Sequence, residues 1–117
     1  MIKAYRYCLR RKDGSEVGFL SNIEEFFGDD LGIRLAWFFE FKLPYPASVP
    51  DMSGTKSYFT QKGNRTFHKA LGQVKEAAGK AGIPFIRYEV DLPNEAVIYA
   101  DKYQVITRDQ PLACVRA

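Results

Sequence analysis

The chain has 117 residues, of which 46% are hydrophobic and 26% charged, and its formal net charge is +3. This length supports one hydrophobic core and is too short for two, so the sequence predicts a single domain over residues 1–117. The charge suits an acidic or phosphate-bearing partner but is not polybasic, and the absence of a membrane-length apolar run or signal-peptide pattern predicts a cytoplasmic protein without membrane contact.

The first thirty residues predict a hairpin followed by a short helix. Side chains alternate from Ile2 to Arg11 as they do in a strand, and Asp13-Gly14 favours a tight turn because both residues tolerate positive φ. The returning strand would cover Val17 to Leu20. Ser21-Asn-Ile-Glu24 fits a capping box, which predicts a helix at about 22–28.

Residues 31–43 alternate in a way that we interpret as the central strand of a sheet. The large apolar residues at alternate positions are Ile33, Leu35, Trp37, Phe39 and Phe41. An extended backbone would place them on one face, where their burial supplies about 10 kcal/mol of gross driving force. Phe38 falls on the other face, and the sequence leaves open whether it is core or part of an exposed aromatic patch.

The remainder predicts a loop, a long helix and several strands. Residues 43–54 contain three prolines and predict an irregular loop before a short strand at 57–60. Apolar residues spaced i, i+3, i+4 predict a helix over about 64–82, which Gly82 and Pro84 would end. Further strands are predicted at 85–92, 96–100, 103–107 and 112–115.

This order of elements predicts an α+β fold. We expect a mostly antiparallel sheet of five to seven strands, with one long helix (about 64–82) and one short helix (about 22–28) packed on it. Cys8 and Cys114 lie near opposite ends of the chain. The sequence leaves open whether they pair, since that depends on whether the first and last strands are neighbours.

A basic segment around the start of the long helix is the first candidate binding site. Cations at a helix N-terminus are unfavourable unless an anion answers them, so a phosphate or an acidic protein surface would suit this segment. The alternative is a solvated polar face without a partner. The candidate residues are Lys56, Tyr58, Lys62, Arg65, His68 and Lys69.

The first strand carries a second basic group, in which cations alternate with tyrosines. Such a strand can bind single-stranded nucleic acid through phosphate contacts and base stacking. It also suits an exposed edge strand whose charges discourage pairing with another molecule, and we favour that interpretation. The residues are Lys3, Tyr5, Arg6, Arg10 and Arg11.

Residues for catalysis, metal binding and cofactor binding are sparse. His68 is the only histidine, which excludes a multi-histidine metal site. The acidic group at 24, 25, 29 and 30 suits the start of a helix better than a metal site. We therefore predict no catalytic residue, no metal and no cofactor, with a metal-independent ribonuclease that uses His68 as its proton shuttle kept as an alternative.

These observations favour a non-enzymatic interaction protein that docks on a protein or ribonucleoprotein target through residues around 44–65. Aromatic residues and arginine dominate such interfaces. Small stand-alone chains of this kind are common among phage and mobile-element accessory factors that inhibit a host system. A small basic nucleic-acid-binding protein is the first alternative, and a homodimer stays open.

Overall fold

The computed structural model describes residues 1–19, 22–40, 55–108 and 115–116, and this part of the chain forms seven strands and three α-helices. The strands are β1 (Ile2–Arg10), β2 (Glu16–Gly18), β3 (Thr55–Thr60), β4 (Phe85–Leu92), β5 (Val97–Ala100), β6 (Gln104–Arg108) and β7 (Val115–Arg116). The helices are α1 (Ile23–Glu40), α2 (Gln61–Thr66) and α3 (His68–Ala81). This mixture confirms the predicted α+β class.

The strands follow the order β5-β6-β3-β1-β4-β7, with β2 also paired to β1. The pairs β1–β2, β1–β3, β3–β6, β4–β7 and β5–β6 are antiparallel, as predicted. β1 lies between β3 and β4, so the prediction that it is an exposed edge strand is wrong. Backbone pairing on both sides places β1 in the interior of the sheet, although its charged side chains are typical of an edge strand.

Two units make up the chain, and β1 and β4 each contribute residues to both. Of the described residues, the sheet unit contains 1–6, 55–66, 87–108 and 115–116, and the helix unit contains 7–19, 22–40 and 67–86. In the sheet unit, Ala4, Tyr58, Val90, Leu92 and Val105 form a cluster of buried core residues. The single domain over 1–117 stays a prediction.

The predicted central strand is wrong over residues 31–40, which belong to α1. Apolar residues are so dense there that a period of 2 and a period of 3.6 both fit, and periodicity alone cannot separate a buried strand from a buried helix. Leucine, alanine and glutamate favour the helix, and Ile33 is the segment's only β-branched residue. The interior strands of the sheet are β6, β3, β1 and β4.

Gly28 divides α1 into two helical segments, because its φ of 79° and ψ of 176° lie in a region that only glycine adopts readily. The first segment agrees with the predicted helix at 22–28. After the kink the backbone returns close to the first segment, so that a Cβ at Gly32 would lie 2.8 Å from Glu24 Cα. Only glycine fits this approach.

The predicted helix at 64–82 is present but divided, since Phe67 separates α2 from α3. Phe67 is 2% exposed and stacks on Phe39, with 5.5 Å between ring centroids. Phe39 also meets the edge of Phe19, which links α1, α3 and the hairpin within the helix unit. The helix ends as predicted at Gly82, whose φ is 72°.

Several sequence predictions agree with the structure to within a residue or two, namely β1, the Asp13-Gly14 turn, β4, β5 and β6. Others fall on Ser21 of the capping box, the loop at 43–54 and Cys114, which lie outside the described residues, as do the side chains of Trp37 and Phe38. Within the described ranges, no helix is long and apolar enough to cross a bilayer.

Candidate basic binding surface

Thr60 joins the start of α2 to the turn between β5 and β6. Its Oγ1 accepts a hydrogen bond from the Gly63 N–H at 3.0 Å and donates one to the Lys102 carbonyl at 2.7 Å. The Thr60 N–H donates to the Tyr103 carbonyl at 3.0 Å. A threonine that caps a helix in this way satisfies a backbone donor that would otherwise lack a partner. The cap and the turn are therefore held by one residue.

Gly63 brings α2 against the same turn. A Cβ added at Gly63 would overlap the Tyr103 carbonyl oxygen and crowd its carbonyl carbon. Because the neighbouring atoms belong to the backbone and not to a flexible side chain, they cannot move aside without moving the turn. The position of α2 on the turn thus depends on the absence of a side chain here.

Asp101 orders the turn itself. Its carboxylate accepts hydrogen bonds from the Tyr99 hydroxyl at 2.8 Å, from the Tyr103 N–H at 2.8 Å and from the Gln104 N–H at 3.0 Å. Partial burial raises the pKa of Asp101, but these hydrogen bonds outweigh burial and hold the pKa below its ordinary value. Asp101 therefore stays ionised and keeps the turn in one conformation.

The helix α2 and the turn between β5 and β6 form one frame, which carries three exposed cations. These are Lys62 and Arg65 on α2 and Lys102 on the turn. The Lys102 ammonium lies 5.0 Å from the centre of the Tyr103 ring. In the described part of the chain, none of the three forms an ion pair with a carboxylate. We call these three residues the basic surface.

The residues of the first candidate group belong to different elements and units in the structure. Lys62 and Arg65 belong to the basic surface, whereas His68 and Lys69 are exposed at the start of α3 in the helix unit. Tyr58 is 2% exposed and belongs to the core of the sheet unit, so its ring does not lie on the surface. Lys56 is partly buried on β3. The break at Phe67 thus divides a group that the sequence predicted on one helix.

The second predicted group, on β1, is paired inside the chain. Lys3 contacts Glu89 at 2.6 Å, Arg10 contacts Glu16 at 2.9 Å, and Arg11 binds both oxygens of Glu25 at 2.8 Å. Arg6 donates to the Ser57 carbonyl at 3.1 Å, and the Arg87 guanidinium lies 5.5 Å from the centre of the Tyr5 ring.

Two ion pairs of this group, Lys3–Glu89 and Arg11–Glu25, are reflected in the pKa values of their partners. The hydrogen bond and charge of Glu89 raise the pKa of Lys3, and Lys3 lowers the pKa of Glu89. Arg11 likewise lowers the pKa of Glu25. Each side chain favours the charged form of the other, so the cation and the carboxylate cancel at the surface. Little positive charge remains on these residues for a phosphate backbone.

The residues considered for catalysis do not form a site in the described part of the chain. His68 is exposed and has no hydrogen-bond or ion-pair partner among the described residues to orient its imidazole. Cys8 is 4% exposed on β1, and its pairing with Cys114 lies outside those residues. The described residues contain no group of three potential metal ligands, and Glu25 of the acidic group binds Arg11.

Sequence analysis missed Lys102, Thr60, Gly63 and Asp101 as parts of a surface. The spacing of Thr60 and Gly63 matches a helix cap followed by a close backbone approach, and that signal was available. Their relation to residues 101–103 was not available, because nothing local links the start of α2 to a turn far along the chain.

Comparisons of the chain with models of protein families, with curated proteins and with solved structures gave no match. The function of the chain must therefore be inferred from its own geometry and charges.

Proposed function

We propose that this chain is a non-enzymatic interaction protein that docks on a protein or ribonucleoprotein target through its basic surface. The observation that supports the proposal is a contrast in pairing. Lys62, Arg65 and Lys102 are exposed without a carboxylate partner in the described ranges, whereas Lys3 and Arg11 are neutralised within the chain. Unpaired cations are the ones whose field reaches a partner.

The frame under the basic surface favours binding. Thr60 and Gly63 fix α2 on the turn, and Asp101 fixes the turn. A backbone that is already ordered loses less conformational entropy when it binds, so more of the interaction energy appears as affinity. The target would present carboxylates or phosphates at matching positions.

The test is affinity capture from the source cell, with and without nuclease, followed by mass spectrometry. Reversing the three cations together (Lys62→Glu, Arg65→Glu, Lys102→Glu) should reduce target capture at least about tenfold, because attraction becomes repulsion. The matched control reverses Lys12, Lys75 and Arg108, which are also exposed, and changes the net charge equally. It should keep capture near the wild-type level.

Each result separates the hypotheses. Equal loss in both variants would show that net charge alone matters, and retention in both would refute the basic surface. Capture that disappears with nuclease, together with direct binding to RNA that weakens steeply with salt, would favour the nucleic-acid-binding alternative instead. RNA cleavage that His68→Ala abolishes would favour the ribonuclease.

A further inference from the structure

A groove of about 510 Å³ lies between α1 and α3 in the helix unit. Phe26, Phe27 and Leu31 line it from α1, and Ala77 and Ala81 line it from α3. Leu31 is 37% exposed, and among the described residues only Met1 is a more exposed large hydrophobic. The groove therefore presents apolar side chains to water, and covering them would be favourable.

The shape of the groove depends on the kink in α1. Gly28 turns the chain in a conformation that other residues rarely adopt, and Gly32 lets the second segment approach the backbone of the first. Phe26 and Phe27 precede the kink and Leu31 follows it, so the kink brings all three to one wall. Two glycines thus hold the apolar wall in place.

The charges at the rim of the groove are what indicate its occupant. Glu76 and Lys80 lie one helical turn apart on α3, at the edge of the groove, and their side chains are 69% and 78% exposed. Their own contact, at 3.3 Å, is a solvent-exposed pair that costs little to exchange. A strongly acidic or strongly basic partner would place a like charge against one of them.

We propose that a second copy of this chain covers the groove, in a two-fold symmetric dimer. A two-fold axis that runs beside α3, perpendicular to the helix and level with the midpoint between residues 76 and 80, makes the two α3 helices antiparallel. Glu76 of each copy then faces Lys80 of the partner subunit, so one surface supplies both ion pairs. Leu31 lines the same groove, and in the dimer each copy inserts it against the apolar wall of the other.

The first test is the mass of the purified chain in solution, measured by sedimentation equilibrium from roughly 1 µM to 1 mM. A reversible monomer–dimer equilibrium is expected. Glu76→Lys and Lys80→Glu should each raise the dimer dissociation constant at least about tenfold, because each places two like-charged pairs across the axis. The double variant Glu76→Lys, Lys80→Glu should restore the wild-type constant.

Mixing the two single variants gives the sharpest result. In a mixed dimer, each substituted side chain faces an opposite charge on the partner subunit, so the mixture should associate more tightly than either variant alone. A merely helix-stabilising contact between Glu76 and Lys80 within one copy predicts no recovery on mixing. Leu31→Ser, with an unchanged circular dichroism spectrum, should weaken association without any change of charge.

Three results would overturn the proposal. The wild-type chain could stay monomeric over the whole concentration range, or it could dimerise with a constant that these substitutions do not change. The mixed variants could also fail to associate. A monomeric chain that loses its captured target with Leu31→Ser would show that a foreign protein covers the groove instead of a second copy.

Discussion

The two basic groups of this protein contain the same residue types and differ in what surrounds them. In the first group, Lys3 on β1 meets Glu89 on β4, and Arg11, which directly follows β1, meets Glu25 on α1. On the basic surface, Lys62, Arg65 and Lys102 are exposed without a carboxylate partner in the described part of the chain. The first group contributes ion pairs to the fold, whereas the cations of the second group are exposed to solvent.

The comparison shows that the number of cations in a segment does not determine its electrostatic role. What matters is whether a neighbouring element supplies a carboxylate within contact distance. β1 is an interior strand with neighbours on both sides, so partners are available to it. The basic surface is built from a helix of six residues and a tight turn, and its cations extend into water.

Among the substitutions that test this contrast, Gly63→Ala is expected to have the largest effect on stability. Its Cβ would overlap the Tyr103 carbonyl, so α2 must move off the turn, and we expect a loss of about 3 kcal/mol in the free energy of unfolding. Urea denaturation would measure it. If the protein stays folded, target capture should also fall, although no charge has changed.

Gly72→Ala is the matched control for Gly63→Ala. Gly72 lies in α3, and nothing lies within 4 Å of a Cβ placed there. Alanine favours a helix over glycine, so this variant should be more stable than the wild type by about 0.5–1 kcal/mol. Equal stability of the two variants would contradict the close approach of α2 to Tyr103.

A smaller effect is expected from Asp101→Asn, which weakens the turn under Lys102. The carboxylate accepts hydrogen bonds from Tyr99, Tyr103 and Gln104, and its loss should cost about 1 kcal/mol at neutral pH because the site is partly exposed to solvent. Capture through the basic surface should weaken modestly. Urea denaturation and capture would measure the two effects.

The pH dependence identifies this contribution as that of the Asp101 carboxylate. Its pKa is lower in the folded state than in the unfolded chain, so its stabilisation is complete above about pH 4 and is lost as the pH falls through the folded-state pKa. The stability difference between wild type and Asp101→Asn should therefore shrink below about pH 4. A difference that stays constant down to about pH 2, roughly two units below the ordinary pKa of an aspartate, would contradict this mechanism.

The smallest effect is expected in the first group, on β1 and at Arg11 directly after it. Lys3→Gln and Arg11→Gln remove cations that are already paired with Glu89 and Glu25, so target affinity should change less than about twofold. A change as large as that of the basic surface, measured by the same capture assay, would erase the contrast between the two groups.

Local sequence signals predicted much of the fold. The alternation of β1 and β4, the Asp13-Gly14 turn and the end of α3 at Gly82 each depend on residues a few positions apart, and each is present. For the candidate site, Lys62 and Arg65 were identified from their position near the start of a helix. The conformational preferences of neighbouring residues determine these features, so no contact between distant parts of the chain is needed to predict them.

Only the tertiary structure decided the rest. Residues 31–40 are apolar enough for either a strand or a helix, and they form the helix that brings Phe39 against Phe67 and Phe19. Lys3 meets Glu89, and Lys102 meets Thr60, only because strands and turns from distant parts of the chain become neighbours. The sequence by itself identified the cations, and long-range pairing determined which of them meet a carboxylate within the chain, since no local pattern specifies a contact between distant residues.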